Sequence, residues 1–343
     1  MEAVVQKSHG DLNQVGFAQV PVPEIRADQV LVEIRAAALN RVDLWITQGW
    51  RGLKLQFPHI LGSDGSGVVV KTGADVEDFS VGDRVAINPT LSCGKCTFCI
   101  AGQDNRCKSF ALFGEHVPGL FGQFQAVPER NLLALPAHVS HEKAAAASLV
   151  YVTAWHSLVA IGNLKPGEDV LIIGAGGGVN SASVDIARFA GARKIIVVGS
   201  SEKKLKKARK LGATVTFNRN EEPWDKAVYH ASEKQGVDIV VDNVGAATFS
   251  KSLRALKKGG RLLTVGNSSG AAFEIDNRYI FGKHLSILGS TMGSRKDYQD
   301  VMSLVFSGQL RPVIDSVYPL SEGPSALRRL QAGDVAGKIL LKP

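Results

Sequence analysis

The chain has 343 residues, of which 45% are hydrophobic and 21% are charged, a composition typical of a globular protein of about two domains. No apolar run reaches the ~18 residues that cross a bilayer (the longest is 144–155) and the start has no signal-peptide pattern, so we predict a cytoplasmic protein without a membrane partner. The net charge is +8, but the densest basic run, residues 203–210, has apolar residues at helical spacing; we interpret it as a solvated helix face and predict no nucleic-acid partner.

Short apolar or alternating segments, separated by proline and glycine, make up roughly the first 150 residues. Such segments predict β-strands, here at residues 3–5, 30–35, 67–71 and 84–87. We therefore predict a β-rich domain with a cysteine-containing loop inserted in it.

All four cysteines lie in that loop, at Cys93, Cys96, Cys99 and Cys107. Cys-x-x-Cys-x-x-Cys followed by a fourth cysteine is metal-ligand spacing, and four thiolates fill every coordination position of a tetrahedral zinc ion. Free or redox-active thiols and an iron–sulfur cluster are the alternatives, although the bacterial ferredoxin pattern places its fourth cysteine closer and before a proline. We predict one structural zinc ion per chain, in a lobe of about residues 90–110.

Strand and helix patterns alternate from residue 165 onwards. Helices, one ending at Ala190 and one at Lys258, separate strands predicted at 169–173, 194–198, 214–217, 237–241, 261–265 and 285–288. This alternation predicts right-handed crossovers and a parallel, doubly wound sheet.

The last part of the chain is predicted to rejoin the first domain. It offers helices at 297–306 and 324–331, a strand near Ile314 and a final strand at 338–341. We therefore predict an α/β protein in which residues 1–150 and 289–343 form the β-rich domain and residues 151–288 form the parallel-sheet domain.

A glycine-rich turn follows the first strand of the alternating region and opens a helix. Glycines there permit a tight turn and let backbone amides approach a pyrophosphate at the positive end of the helix. The third glycine of this dinucleotide-binding pattern is replaced by Asn180. The predicted cofactor-binding residues of the turn are Gly174, Gly176, Gly177, Gly178 and Val179.

The end of the second strand bears on which dinucleotide binds. An acidic residue there would bind the ribose 2′-hydroxyl of NAD, whereas here the nearest acid, Glu202, already lies in the next helix. Small polar groups and lysines can hold the 2′-phosphate that an aspartate would repel. We predict NADP(H), bound at Gly199, Ser200, Ser201, Lys203 and Lys204; the alternative is that the two lysines only solvate their helix.

Together these features resemble the medium-chain dehydrogenase/reductase superfamily, the group of zinc alcohol dehydrogenases and quinone oxidoreductases. The resemblance rests on the cysteine loop, the stretch PHILGSDGSG at residues 58–67, the GDRV at residues 82–85 and the GAGGGV turn. It implies a GroES-like β-rich catalytic domain, a Rossmann domain and a homodimer or homotetramer.

The catalytic zinc ligands of that family are not matched. The resemblance places Asn40, Ser63 with Asp64, and about Leu149 where the family has Cys, His with an acid, and Cys. Zinc prefers thiolate or imidazole, so we predict no catalytic zinc. The positions of the family's proton relay are taken by Val42 and about Trp45, which do not carry protons.

Without zinc, an alkoxide developing on the substrate needs hydrogen-bond donors. The predicted donors are Asn40 and Ser63, with Asp43 orienting them; the alternative for Asn40 is a loop-capping amide. The resemblance also implies cofactor contacts that the glycine turn does not supply, at Arg41, Thr153, Val244, Gly245, Gly266, Asn267, Gly289 and Ser290, and it places Lys338 near either Asp64 or the cofactor phosphates.

These residues predict an NADPH-dependent reductase of activated carbonyl compounds such as ketones, enones or quinones. Without a metal ion that polarises the substrate oxygen, oxidation of simple alcohols is the reaction slowed most. The alternatives are a reversible secondary-alcohol dehydrogenase of narrow range and a non-catalytic NADPH-binding sensor.

Overall fold

The structure is a computed structural model that describes residues 1–343. Its strands are, in chain order, β1 (Glu2–Gln6), β2 (Val15–Gln19), β3 (Gln29–Ala38), β4 (His59–Ile60), β5 (Asp64–Thr72), β6 (Arg84–Ile87), β7 (Thr90–Leu91), β8 (Ala111–Leu112), β9 (Phe124–Pro128), β10 (Leu132–Ala134), β11 (Asp169–Ile173), β12 (Lys194–Gly199), β13 (Val215–Asn218), β14 (Val237–Asp242), β15 (Leu256–Thr264), β16 (Ser286–Gly289), β17 (Ile314–Pro319) and β18 (Lys338–Lys342).

The α-helices are α1 (Arg41–Gln48), α2 (Thr97–Ile100), α3 (His141–Trp155), α4 (Gly178–Phe189), α5 (Glu202–Leu211), α6 (Trp224–Ala231), α7 (Phe249–Ala255), α8 (Asn277–Lys283), α9 (Arg295–Phe306) and α10 (Gly323–Ala332). A π-helical segment, His156–Ile161, continues α3.

The chain divides into two compact units. The first unit comprises Met1–Leu149, Ser294–Gly308 and Pro312–Pro343, and the second comprises Val150–Gly293 with Gln309–Arg311. The tail rejoins the first unit at Ser294, a few residues after the predicted position 289, because β16 still pairs with β15 in the sheet of the second unit.

A seven-stranded sheet organises the first unit, in the order β10-β6-β5-β3-β18-β17 with β9 also paired to β3. Its interior is apolar and includes Val30, Val32, Ile34, Val69 and Val85. At the end of β3, Ala38 lies opposite Asp64 of β5 and Leu340 of β18. This register brings together three segments that are far apart in sequence.

The second unit contains a six-stranded parallel sheet in the order β13-β12-β11-β14-β15-β16. All five residues of β11 and all six of β14 are buried, as expected for strands covered on both faces. The carboxyl ends of parallel strands share one edge of the sheet, so the loops that follow these strands are neighbours there.

Two sequence predictions need correction. The helix predicted to continue to Lys258 ends at Ala255, and β15 begins at Leu256 rather than near Arg261, because Leu256 pairs with Val237. The apolar run predicted to be too short for a membrane span belongs to a continuous 21-residue helical stretch, His141–Ile161, with a mean hydropathy of 1.5. Within its most apolar part, 72% is buried inside the protein, as in the core helix of a globular domain.

Candidate active site

The glycine turn predicted to bind a dinucleotide lies between β11 and α4 in the second unit. Gly174 has a φ of +109°, a conformation that favours glycine, and Gly177 is the N-cap of the twelve-residue helix α4. Gly178 and Val179 are in its first turn, where backbone N–H groups lack intrahelical partners and suit an anion. The turn therefore fits a pyrophosphate group.

Asn180 takes over part of the role of the missing third glycine. Its side-chain Nδ2 donates hydrogen bonds to the carbonyl oxygens of Ile173 (2.6 Å) and Gly174 (2.8 Å). Its Oδ1 accepts from the amide of Asn243, which follows β14. A β-carbon on Gly174 would collide with the Asn180 amide, so the turn and the asparagine are matched to each other.

The end of β12 carries no carboxylate. A side chain at Gly199 would meet Leu205 at 2.6 Å and Ala175 at 2.9 Å, so the strand end and the next helix pack closely. Ser201 is the N-cap of α5, Lys203 is exposed and Lys204 is half-buried, while Ser200 lies between strand and cap.

Arg219 is a cation at this strand end that sequence reasoning missed. It follows the neighbouring strand β13, and its backbone N–H donates to the carbonyl oxygen of Gly199 (2.9 Å). The side chain of Asn220 in turn donates to the carbonyl oxygen of Ser200 (3.0 Å). The available signal was a basic residue directly after the strand that pairs with β12.

The remaining cofactor residues predicted in the second unit follow the other strands of its sheet. Val244 and Gly245 come after β14, where their N–H groups donate to Asp242, and the others are Gly266, Asn267, Gly289 and Ser290, after or at the ends of β15 and β16. Two buried polar atoms at this edge, Asn243 Oδ1 and Ser290 Oγ, have no hydrogen-bond partner. Unpaired buried polar atoms are costly unless a ligand satisfies them, so this edge fits a polar cofactor.

Thr153 lies elsewhere in the second unit, on α3. Its hydroxyl is buried and contacts the sulfur of Met292 at 3.8 Å.

In the first unit, a buried ion pair occupies the end of β3. Lys338 Nζ donates to Asp64 Oδ2 (2.8 Å) and to Asn40 Oδ1 (2.5 Å), and Asn40 Nδ2 donates to the same Asp64 oxygen (2.8 Å). The Lys338 and Asp64 side chains are 4% and 0% exposed. The other oxygen of Asp64 accepts the backbone N–H of Leu149 (2.7 Å). Asn40, Asp64, Leu149 and Lys338 thus form one connected hydrogen-bonded cluster.

The two donors predicted for substrate are already engaged. Asn40 Nδ2 donates to Asp64 and, through a longer bond of 3.3 Å, to the carbonyl oxygen of Ala38. The Ser63 hydroxyl is fully buried and donates to the carbonyl oxygen of Phe113 (2.7 Å). The long bond to Ala38 is the contact that Asn40 would exchange most easily for a substrate oxygen.

Asp43 supports Asn40 from the first turn of α1. Its Oδ2 accepts the backbone N–H of Asn40 (2.7 Å), while its Oδ1 is buried without a partner. Burial raises the pKa of Asp43 to about 7, and the hydrogen bond from Asn40 and the charge of Lys338 oppose that rise. Arg41, the first residue of α1, is exposed beside this pair.

The four cysteines form a separate cluster in the first unit, with their sulfur atoms all within 4.8 Å of one another. The Cys96–Cys99, Cys93–Cys99 and Cys96–Cys107 sulfurs are 3.5, 3.9 and 3.9 Å apart. Four sulfurs at about 2.3 Å from a tetrahedral zinc ion would be about 3.8 Å apart, so the cluster fits zinc. No other group of three or more His, Cys, Asp or Glu side chains converges in this way.

Backbone groups already favour the thiolate form of Cys96 in this cluster. N–H groups of Cys99 and Lys108 hold the pKa of Cys96 at about 6. Loss of solvent and the neighbouring thiols raise the pKa of Cys99 to about 11, so a bound cation is needed to ionise all four.

The chain matches two protein families, which together include parts of both units. Residues 26–137 match the family described as the alcohol dehydrogenase GroES-like domain, and residues 178–307 match the zinc-binding dehydrogenase family. An NAD-dependent alcohol dehydrogenase of Sulfolobus acidocaldarius is 32% identical over 100% of this chain and 99% of its own. The chain belongs to the medium-chain dehydrogenase/reductase superfamily.

Two further proteins of the superfamily are similar over their full length. An acryloyl-coenzyme A reductase of Metallosphaera sedula is 30% identical, and the alignment covers 99% of each chain. The crystal structure of an NAD-dependent alcohol dehydrogenase is 40% identical and superposes with a TM-score of 0.95, covering 100% of both chains. The GroES-like and Rossmann fold is therefore confirmed, and the chain is an alcohol dehydrogenase-like oxidoreductase that acts on a small alcohol or carbonyl compound.

Proposed function

We propose that this oxidoreductase transfers hydride from NADPH to an activated carbonyl compound without a catalytic zinc ion. The observation that carries the proposal is the buried cluster of Asn40, Asp64 and Lys338. In the resemblance described above, Asn40 and Leu149 stand where zinc alcohol dehydrogenases have cysteine ligands.

The chemistry of this cluster argues against zinc. It offers an amide, a carboxylate and a backbone N–H, whereas zinc prefers thiolate or imidazole. The carboxylate of Asp64 is already neutralised by Lys338, and Leu149 contributes its backbone N–H, which is a donor and not a ligand. An ammonium group thus supplies positive charge here.

Asn40 is the proposed hydrogen-bond donor to the substrate oxygen. Its Nδ2 would exchange the long bond to Ala38 for the substrate, while Asp64 and Lys338 hold the amide in place. Asp43 is proposed to position this group through the backbone of Asn40. Ser63 precedes Asp64 in the chain, and its bond to Phe113 is proposed to hold the start of β5, which carries Asp64. The bound nicotinamide would supply the hydride.

A preference for NADPH is supported by the end of β12. No acidic side chain stands at residues 199–201, and the basic residues there are Lys203, Lys204 and Arg219. A dianionic 2′-phosphate would be attracted to this group, whereas a ribose hydroxyl gains little from it. Because relatives are named NAD-dependent, the cofactor preference needs its own measurement.

The acceptor is proposed to be an electron-poor double bond, as in an enone, a quinone or an activated ketone. Such acceptors need less polarisation than a simple ketone, so they suit a site that lacks a metal. The relative named acryloyl-coenzyme A reductase supports this class, since acryloyl thioesters are conjugated carbonyl compounds.

We further propose that Cys93, Cys96, Cys99 and Cys107 hold one structural zinc ion, and that the protein forms a homodimer or homotetramer. Strand β16 is an edge of the six-stranded sheet and is mostly exposed, and an unpaired edge of this kind can pair with a second copy. Light scattering on the purified protein would give the number of chains.

The test combines turnover with zinc stoichiometry on the same preparation. NADPH and NADH oxidation would be followed by absorbance against a panel of quinones, enones, enoyl thioesters and ketones, together with NADP⁺ reduction by simple alcohols. We expect one zinc per chain, faster turnover of conjugated acceptors than of alcohols, and no loss of activity within minutes of adding EDTA.

Three results would contradict the proposal. Two zinc ions per chain, or an immediate loss of activity that zinc reverses, would show a catalytic metal. Faster alcohol oxidation would indicate a secondary-alcohol dehydrogenase. Tight NADPH binding with no acceptor reduced would indicate a sensor.

A further inference from the structure

A polar cavity lies in the first unit, and no residue of the Asn40 cluster lines it. Its volume is about 370 Å³, within the range of small-molecule sites, and it lies beside the cysteine cluster. The residues that matter for its chemistry are Asn88, Thr90, Asp104, Arg130, Arg295 and Lys296. None of them is needed for the proposed reaction.

One of the residues that line this cavity has a buried hydroxyl group without a hydrogen-bond partner. Thr90 is 4% exposed, and its Oγ1 has no hydrogen-bond partner. The backbone around it is well held, because Asn88 Oδ1 accepts the Thr90 N–H (3.1 Å) and Asn131 Nδ2 donates to the Thr90 carbonyl oxygen (2.8 Å). A buried hydroxyl without a partner costs free energy, which a ligand bound in the cavity would recover.

The charged residues around the cavity favour an anion. Arg130, Arg295 and Lys296 line it together with a single acid, Asp104. Asp104 is engaged by the backbone N–H of Arg295 (2.9 Å), while the guanidinium of Arg295 itself has no hydrogen bond or ion pair. The exposed guanidinium of Arg295 is therefore free to bind an anion, and the buried hydroxyl of Thr90 lacks an acceptor.

We propose that this cavity binds a phosphate group. A phosphate can accept two parallel hydrogen bonds from a guanidinium and a further one from a hydroxyl, which matches the free, exposed guanidinium of Arg295 and the unsatisfied hydroxyl of Thr90. Arg130 and Lys296, which already contact Ser92 and Asp300, add positive charge at longer range. The phosphate is either free in solution or carried by a larger ligand.

The experiment is isothermal titration of the zinc-loaded, full-length protein with potassium phosphate and, separately, with coenzyme A. Thr90→Val removes the hydroxyl with little change of shape, and Arg295→Gln removes the guanidinium. We expect each substitution to raise the Kd for phosphate about tenfold. Arg328→Gln is the matched control, since Arg328 is also an exposed helix arginine of this unit with no partner, and it should leave the Kd unchanged.

The possible outcomes distinguish a free phosphate ion from a phosphate group carried by a larger ligand, and both from the absence of a phosphate site. If coenzyme A binds more tightly than phosphate with the same dependence on Thr90 and Arg295, the phosphate is carried by a larger ligand; equal or weaker binding indicates the free anion. The proposal is overturned if neither binds at up to about 50 mM, or if both substitutions leave the Kd unchanged. Thermal unfolding without ligand checks that Thr90→Val remains folded, which we expect because it removes an unpaired group.

Discussion

The buried carboxyl group of Asp43 should make the stability of this protein fall as the pH rises from 3.8 to about 7. In the folded state its pKa is about 7, against an ordinary value of 3.8. Because the folded state binds the proton more tightly, raising the pH between these two values favours unfolding. This contribution to stability is complete below pH 3.8 and is lost as the pH passes 7.

The size of the effect follows from the two pKa values. At about 1.36 kcal/mol for each pH unit, the whole range amounts to about 4 kcal/mol, of which about 2 kcal/mol falls between pH 5 and pH 7. Asp43→Asn removes the titrating group but keeps an oxygen to accept the N–H of Asn40. Relative to the natural protein, the variant should therefore gain about 2 kcal/mol of stability from pH 5 to pH 7.

Urea unfolding at pH 5, 6 and 7 would measure this difference, with tryptophan fluorescence as the signal. Trp45 is on the same helix as Asp43, so its surroundings change when the first unit unfolds. Asp78→Asn is the control, because Asp78 is exposed and its carboxyl group has no partner, and its effect should change by less than about 0.5 kcal/mol over this range. An equal effect of Asp43→Asn at pH 5 and pH 7 would refute a raised pKa for this group.

Four further predictions concern the cluster, the turn, the cofactor and the metal. Lys338→Met should leave Asp64 buried without a counter-charge and lower the free energy of unfolding in urea by about 3–5 kcal/mol. Adding Asp64→Asn should recover part of that loss, and an unchanged urea midpoint for Lys338→Met alone would disprove a stabilising role. Gly174→Ala should lower both the unfolding temperature and the affinity for NADPH measured by fluorescence titration. Adding Asn180→Ala should relieve the collision with the new β-carbon but not the strain of the positive φ at residue 174. Wild-type affinity of Gly174→Ala for NADPH would be inconsistent with the close fit of the turn. Ser200→Asp should reduce the ratio of kcat/KM for NADPH over NADH by about tenfold or more, and an unchanged ratio would mean that the 2′-phosphate binds elsewhere. Removing zinc with a strong chelator should lower the unfolding temperature by several degrees (about 1–2 kcal/mol or more), and a metal-free protein of unchanged stability would contradict a structural site.

Local patterns were sufficient to predict most of the elements. Strand β11 has the predicted bounds, and α4 follows the glycine turn as expected, because period, turn residues and caps act within a few residues of the chain. The end of α7 was wrong because a long-range contact decides it: Leu256 pairs with Val237, which overrides the helical pattern of the lysines that follow.

The cysteine loop could be recognised from the sequence alone because its ligands are close together along the chain. The same is true of the glycine turn and of the missing acid at the end of β12. Arg219 was missed since it reaches Gly199 only through the pairing of β13 with β12.

The sequence by itself determined the fold class, and it predicted a metal site from the cysteine spacing, a cofactor site at the glycine turn and the replacement of the catalytic zinc ligands. Only the tertiary structure decided between the two places that the resemblance offered for Lys338, since Lys338 lies 298 residues from Asn40 along the chain and meets it through the register of β18 on β3. The raised pKa of Asp43 and the unsatisfied hydroxyl of Thr90 also became visible only in the tertiary structure. The burial of a side chain and its hydrogen-bond partners depend on contacts between distant segments of the chain. These contacts set the charge and the hydrogen bonding of each side chain, on which the chemistry depends.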